Sequence, residues 1–415
     1  MPSQLQITAA TLDPALLDLP WDIPLEDWPQ DVLVALPRGI SRHVVRFAML
    51  SGSVIAVKEI SAMVAHREYE MLRSLNRIGV PCVAPLAVIT GRTDEHGEEL
   101  NSVLITQHLQ YSLPYRALFS QEMRAETSER LIDALAVLLV RVHLAGFFWG
   151  DVSLSNTLFR RDAGAFAAYV VDAETGELHG RLTRGQRHYD IDLARTNIIG
   201  ELMDLQAGGI VGEDEDVIAV GNRIEQRYHD LWGAVTGSVT FSAHERWRVT
   251  DRVNQLNQLG YDVDELELIT EDDLSHLRIK PKVVDAGHYH RQIMRLTGLD
   301  VEENQAKRMI NDMEEYRAIT DQLDQPIEFV AHDWLTNVYQ PTIALVPREL
   351  RTRLDAPQIF HEILEHRWYL SQERGRDVPT PEAVRSYVDG YLARRQDERV
   401  FLSEPDTAEI TRVEG

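Results

Sequence analysis

The stretch WGDVSLSNTLF, Trp149 to Phe159, sets an aspartate and an asparagine five residues apart, and the later run YVVDAE adds Asp172. Asp151 can accept a proton from an attacking hydroxyl. Asn156 can turn its carbonyl oxygen toward a metal, and Asp172, at the end of a strand-like run, can bridge a cation between phosphate groups. Two carboxylates and an amide oxygen form a hard-oxygen donor set, suited to magnesium or manganese and unsuited to zinc. Taken alone, the Asp-x4-Asn spacing is also that of a polar turn capping the next segment.

A cation that could offset phosphate charge lies upstream. In SVIAVKEI (53–60) the period of two puts Val54, Ala56 and Lys58 on one face and Ile55, Val57 and Glu59 on the other. The Lys58 ammonium therefore stands among apolar neighbours and needs a negative partner. On the helical run that follows, Val64, Glu68, Met71, Leu72 and Leu75 share one stripe, while Glu70 is turned roughly 200° from Glu68. Glu68 is the inward carboxylate. A Lys58–Glu68 pair would hold the ammonium where it meets nucleotide phosphates; each residue alone is also an ordinary surface charge.

These groups need a scaffold to bring them together. Residues 31–36, 43–49 and 53–60 read as three short strands, followed by a helix from the N-cap Ser61 to about Ile78 that Gly79 and Pro81 stop. Two more strands, APLAVIT and SVLITQHL, flank a polar loop. An apolar helix at 128–144 precedes the Asp151 loop, NTLFRR and AFAAYVVDAE form a hairpin around DAG, and YDIDLARTNIIGELMDLQ reads as a helix ending at Gly208. Charged amphipathic helices dominate beyond about Asp214. The first thirty residues, rich in Pro, Asp and Trp, read as an irregular lead-in packed through Trp21 and Trp28.

Composition narrows the function classes. With 415 residues the chain is expected to hold two or more domains. Its 66 acidic and 42 basic side chains give a formal charge of −24, which opposes attraction to nucleic acid or anionic lipid. No apolar run approaches the roughly 20 residues of a membrane span, and the N-terminus lacks the pattern of a signal peptide. The single cysteine, Cys82, excludes an internal disulfide framework and a cysteine-based zinc cluster. A cytoplasmic protein is expected.

In chain order VIAVK, Glu68, VHLAGFFWGDVSLSNTLF and YVVDAE resemble the signature set of the protein-kinase-like fold, in its lipopolysaccharide-kinase-like and RIO-like branch, over about residues 31 to 210. The resemblance implies an α+β fold: a two-lobed kinase-like domain, with an antiparallel N-lobe sheet plus helix and a mainly helical C-lobe, then a mostly α-helical C-terminal domain. The expected limits are lead-in 1–30, N-lobe 31–109, C-lobe 110–235, helical domain 236–401 and acidic tail 402–415. It further implies that Lys58 binds phosphate with Glu68 as partner, that Asp151 is the catalytic base, and that Asn156 and Asp172 hold the metal. ATP would lie with its adenine against backbone groups of Gln107 to Leu109, under Ala56, and its phosphates near Gly39, Ser41 and Arg42. The segments 279–317 and 361–378 resemble a bacterial domain of unknown function found after such kinase-like domains.

The pattern has departures. Trp149-Gly150 replaces the His-Arg of conventional protein kinases, which removes the usual partner of a phosphorylated activation loop. Ala173-Glu174 replaces Phe-Gly and either adds a third carboxylate or stiffens the turn, and only one glycine, Gly39, marks the phosphate loop. Asp190 or Asp192 is expected to brace the catalytic loop from a helix N-terminus, or to cap that helix. His143 reads as a packed structural residue. His361 and His366 in HEILEHRW are five apart, not four, and so do not form a metalloprotease helix. His288 and His290 read as a helix entry, and Trp334, Trp368 and Tyr369 as core or interface aromatics. The expected function is an ATP- and Mg2+-dependent phosphotransferase, with Mn2+ as a substitute, acting on an unknown hydroxyl acceptor such as a sugar-bearing small molecule. The alternative is a nucleotide-binding pseudokinase whose C-terminal domain recruits a protein partner.

Overall fold

The computed structural model describes residues 4–34, 36, 43–120, 125–242, 245, 247–270, 276–395 and 398. Gly39, Ser41, Arg42 and the tail 402–415 lie outside them.

Five strands form the first sheet: β1 (Gln6–Ala9), β2 (Val44–Leu50), β3 (Ser53–Ile60), β4 (Pro85–Thr90) and β5 (Ser102–Gln107), in the antiparallel order β1-β4-β5-β3-β2. The described residues of the expected strand 31–36 form no strand. They touch the sheet through an isolated bridge between Leu33 and Ala48. The lead-in, expected to be irregular, instead supplies β1 and two short 3-10 turns. Its Leu16, Trp21, Leu25 and Trp28 cover the sheet face that carries Ile55, Val57, Ala87, Ile89, Val103 and Ile105. Burying that face drives the alternation seen in the sequence, because a strand with one packed surface must place its apolar side chains every second residue. The opposite face receives α1 (Ala62–Arg77), whose Ala65, Tyr69, Leu72 and Leu75 pack with Ile60, Val88 and Leu104.

A second lobe begins after β5. Its elements are β6 (Ser112–Pro114), α2 (Tyr115–Ser120), α3 (Ala125–Leu144), β7 (Phe147–Phe148), β8 (Thr157–Asp162), β9 (Ala165–Val170), β10 (Glu177–Leu178), α4 (Arg184–Ala207) and α5 (Val217–Thr236). The helix α4 starts five residues earlier than YDIDL suggests, because Thr183 and Gln186 form a reciprocal capping box. Asp190 therefore lies inside the helix and not at its N-terminus. The hairpin β8–β9 turns through Ala163 and Gly164, at φ 51° and 85°.

The C-terminal part is helical with one exception that the sequence reading lacked, a three-stranded sheet of β11 (Val239–Ser242), β12 (Tyr261–Thr270) and β13 (His276–Ala286), in the order β11-β13-β12. The helix α6 (Trp247–Gln258) precedes β12. Leu256 and Tyr261 join the same core as α3 and α5, so that core continues past residue 235. Then follow α7 (His288–Thr297), α8 (Glu303–Ile319), α9 (Ile327–Trp334), α10 (Gln340–Ala344), α11 (Ala356–Arg374) and α12 (Thr380–Gly390). His288 opens α7, as expected of a helix entry, and pairs with Asp262. Trp334 is fully buried against Tyr339 and Phe360. Trp368 and Tyr369 are not core residues: they stand 55% and 58% exposed on α11. No helix among the described residues is long and apolar enough to cross a membrane.

The tip of the β8–β9 hairpin is built into the C-terminal helices. The buried Asp162 carboxylate accepts from Asn304 N at 3.1 Å, Asn304 Nδ2 at 2.9 Å and Gln305 N at 2.7 Å, and so caps α8 from outside. Arg160 reaches Glu302 at 2.9 Å and Asp355 at 3.1 Å, and Arg161 donates from Nε to both oxygens of Glu398 at 3.0 Å.

Candidate active site

Between the two lobes lies a cleft of about 650 Å³, lined by Ala56, Lys58, Glu68, Gln107, Leu109, Asp151, Asn156 and Asp172 among others. Lys58 comes from β3, Glu68 from α1, Asp151 and Asn156 from the loop between β7 and β8, and Asp172 from just beyond β9. The Lys58 Nζ lies 3.0 Å from Glu68 Oε2, 2.7 Å from Asp172 Oδ2 and 3.4 Å from Glu174 Oε2. Lys58 and Asp172, 114 positions apart, are thus brought into contact.

Burial and charge compete at this cluster. Burial alone pulls Lys58 toward the neutral form, but the charges of Glu68 and Asp172 outweigh it and raise its pKa. Glu68 is pushed up to about 7, by burial first and by the Asp172 charge second, against the pull of Lys58. Three carboxylates, Glu68, Asp172 and Glu174, have oxygens within 4.8 Å of one another. His43 sets its Nε2 3.2 Å from Glu174.

The catalytic-type loop is held from beneath. Asp190, fully buried, accepts from the backbone N–H groups of Trp149 and Gly150, both at 2.8 Å, and its Oδ2 lies 3.2 Å from His143 Nε2. The other His143 nitrogen meets Tyr228 OH at 2.8 Å, and burial lowers the pKa of the ring. Of the two aspartates expected to brace the loop, Asp190 makes these bonds. Farther along α4, Asn197 Nδ2 donates to Val152 O at 2.9 Å, and Glu201 accepts from Leu154 N at 2.8 Å and Ser155 N at 2.9 Å. Sequence reasoning missed Asn197 and Glu201. Their signal was present: 190, 197 and 201 fall at i, i+7 and i+11, one face of a helix.

Gly150 adopts φ 76°, and a Cβ there would meet Phe148 and the Thr175 carbonyl at 3.3 Å. A side chain before Asp151 is thus disfavoured by the left-handed backbone and by its close neighbours together. Asn156 Nδ2 donates to Asp151 O at 2.9 Å and to Asp151 Oδ2 at 3.1 Å, which turns the Asn156 carbonyl oxygen away from Asp151. Trp149 Nε1 donates to the Asp172 carbonyl at 2.8 Å, tying the two loops together. At the back of the cleft the N–H groups of Gln107 and His108 are donated to Ala84 O and Val54 O.

The two-lobed order of these elements agrees with a family match. Residues 47–201 match the lipopolysaccharide kinase (Kdo/WaaP) family. The kinase-like region is thus α+β and two-lobed, and of the phosphotransferase class. Residues 230–392 match a family described as a domain of unknown function (DUF4032). No curated protein matches the chain. A solved structure titled "WaaP in complex with acyl carrier protein" is similar at 15% identity and TM-score 0.34, covering 55% of this chain and 99% of that one.

Proposed function

We propose that the chain is an ATP- and Mg2+-dependent kinase that phosphorylates a hydroxyl group of a small, sugar-bearing acceptor. The observation that carries this reading is the gathering of Glu68 and Asp172 on Lys58 inside a cleft that also presents Asp151 and Asn156. In it Lys58, oriented by Glu68, offsets charge on the phosphates, and Asp151 orients the acceptor hydroxyl and takes its proton. Asn156 and Asp172, with Glu174 beside them, form an oxygen-only donor set that fits Mg2+ or Mn2+, and such a cation would neutralise phosphate charge. An adenine edge would be met by the Gln107 carbonyl and the Leu109 N–H, since the N–H groups of Gln107 and His108 are spent within the sheet. The brace from α4 keeps the Asp151 loop rigid, which suits a reaction that gains its rate from positioning and electrostatics. A lone, buried Cys82 fits a cytoplasmic setting. The C-terminal part, joined to the second lobe through Leu256 and Tyr261, would recruit a partner.

A second reading, a pseudokinase, draws on Glu174. Its carboxylate 3.4 Å from Lys58 adds negative charge where phosphates would lie. Thermal unfolding with ATP, with and without Mg2+, combined with an acceptor panel, decides between the two. Mg2+-dependent stabilisation lost in Asp172→Ala, with transfer abolished in Asp151→Ala while nucleotide binding persists, is the expected result. Binding without transfer to any acceptor selects the pseudokinase, and no stabilisation by ATP defeats both.

A further inference from the structure

A second cavity, of about 370 Å³, lies far along the chain from the Lys58 cleft, between the tip of the β8–β9 hairpin, α3, α11 and α12. It is large enough for a small organic ligand. His361 lies in its wall, only 6% exposed, and its Nε2 has no hydrogen-bond partner among the described residues. The other ring nitrogen, Nδ1, receives Arg308 Nη1 at 3.4 Å. A guanidinium can only donate, so Nδ1 is the acceptor and the proton of the neutral ring sits on Nε2. Burial, with the Arg308 charge, pulls this histidine down to about 4, so the ring stays neutral near pH 7. Leaving a buried N–H donor without an acceptor is unfavourable, and a ligand oxygen would relieve it. The Glu365 carboxylate, 3.8 Å away and 48% exposed, is too distant to satisfy it.

The rest of the wall indicates what that oxygen belongs to. Arg130, Arg161 and Arg395 line the cavity, against the carboxylates of Glu362 and Glu365. Arg395 and Arg161 are fixed in place, by Glu362 at 2.8 Å and by Glu398 at 2.8 Å. Glu362 and Glu398 thus balance two of the three guanidiniums, and the lining offers N–H donors held in place and not a surplus of positive charge. Two aromatic rings of the lining, Tyr369 and Tyr391, are 58% and 62% exposed; Tyr391 is stacked on Tyr387 and Tyr369 makes a T-shaped contact with Trp368, so each offers one face at most to a further ring. We propose that this cavity binds a small aromatic phosphate monoester of nucleoside monophosphate size, its phosphate accepting from His361 Nε2–H beside Arg130 and its ring against Tyr369 or Tyr391.

The test is calorimetric titration of the full chain at pH 7.5 with AMP, adenosine and inorganic phosphate. AMP is expected to bind, at least tenfold more weakly to His361→Ala and to the exposed-site variant Arg130→Ala. His361→Asn, which keeps an N–H donor, should recover part of the loss, and Glu365→Gln should tighten binding by removing a nearby charge. The component of AMP binding that is sensitive to His361 and Arg130 should be unchanged in Lys58→Met, which locates that component outside the other cleft. Absence of AMP binding, indifference to both His361 and Arg130, or loss of that component in Lys58→Met overturns the proposal. Adenosine binding as tightly as AMP removes the phosphate from it, and inorganic phosphate binding as tightly removes the ring.

Discussion

Asp190 offers the sharpest test of how the loop is built. Replacement by alanine removes the acceptor of two backbone N–H groups, Trp149 and Gly150, each held at 2.8 Å by a fully buried carboxylate. Bonds to a charged acceptor contribute roughly 1.5–3 kcal/mol each, so the pair amounts to about 3–6 kcal/mol. The loop relaxes only in part, because Glu201 and Asn197 still grip Leu154, Ser155 and Val152. The lower figure of about 3 kcal/mol is therefore the expected local loss, roughly a hundredfold in an opening equilibrium. Native-state hydrogen exchange reads this directly at the two amides. Trp149 and Gly150 should lose about two decades of protection in Asp190→Ala, while α1 and β3 amides stay unchanged. Unaltered protection at both amides would show that the carboxylate does not support the loop, and the account of its rigidity would have to be abandoned.

Other expectations address separate parts of the molecule. Gly150→Ala forces a left-handed backbone on a residue with a Cβ and should cost about 1–2 kcal/mol before any contact is counted, visible in urea unfolding. Glu68, raised to about 7 from 4.5, binds its proton more tightly in the folded state. Its contribution is present below its unfolded value and is lost as pH rises toward 7, so wild-type midpoints should fall over that window and Glu68→Gln should flatten the profile. Asp162, also raised to about 7, first by burial and then by Glu302, has the same sign, so the flattening is partial. Asp162→Ala removes three donors' acceptor at the start of α8 and should destabilise the C-terminal helices by about 2–4 kcal/mol, read by limited proteolysis near residue 303.

The polar groups of the cleft were legible in two ways, by a period for some and by resemblance to the kinase-like signature for the rest. Lys58 and Glu68 follow from a strand alternation and a helical stripe, and Asp151, Asn156 and Asp172 from a fixed order around a hairpin. Sheet β11–β13 was not legible. Acidic residues at 262, 264, 265 and 267 made YDVDELELIT look like a charged helical surface, and Pro281 interrupts its partner. The strand β1 is only four residues long and pairs with β4 some eighty positions away, so no local pattern announces it. The reach of α4 beneath the loop was hidden for a different reason, since a buried carboxylate and a surface one look alike until tertiary contacts are known.

The β8–β9 hairpin joins two places that the chain keeps apart. Its open end delivers Asn156 just before one strand and Asp172 shortly beyond the other, while its closed end is riveted by Asp162, Arg160 and Arg161 to α8, α11 and Glu398. Strands of six residues paired along their whole length bend little. Any tilt imposed at the riveted end is thus conveyed, as by a lever, to the oxygens facing Lys58, and the cavity beside Gly164 sits at the fulcrum.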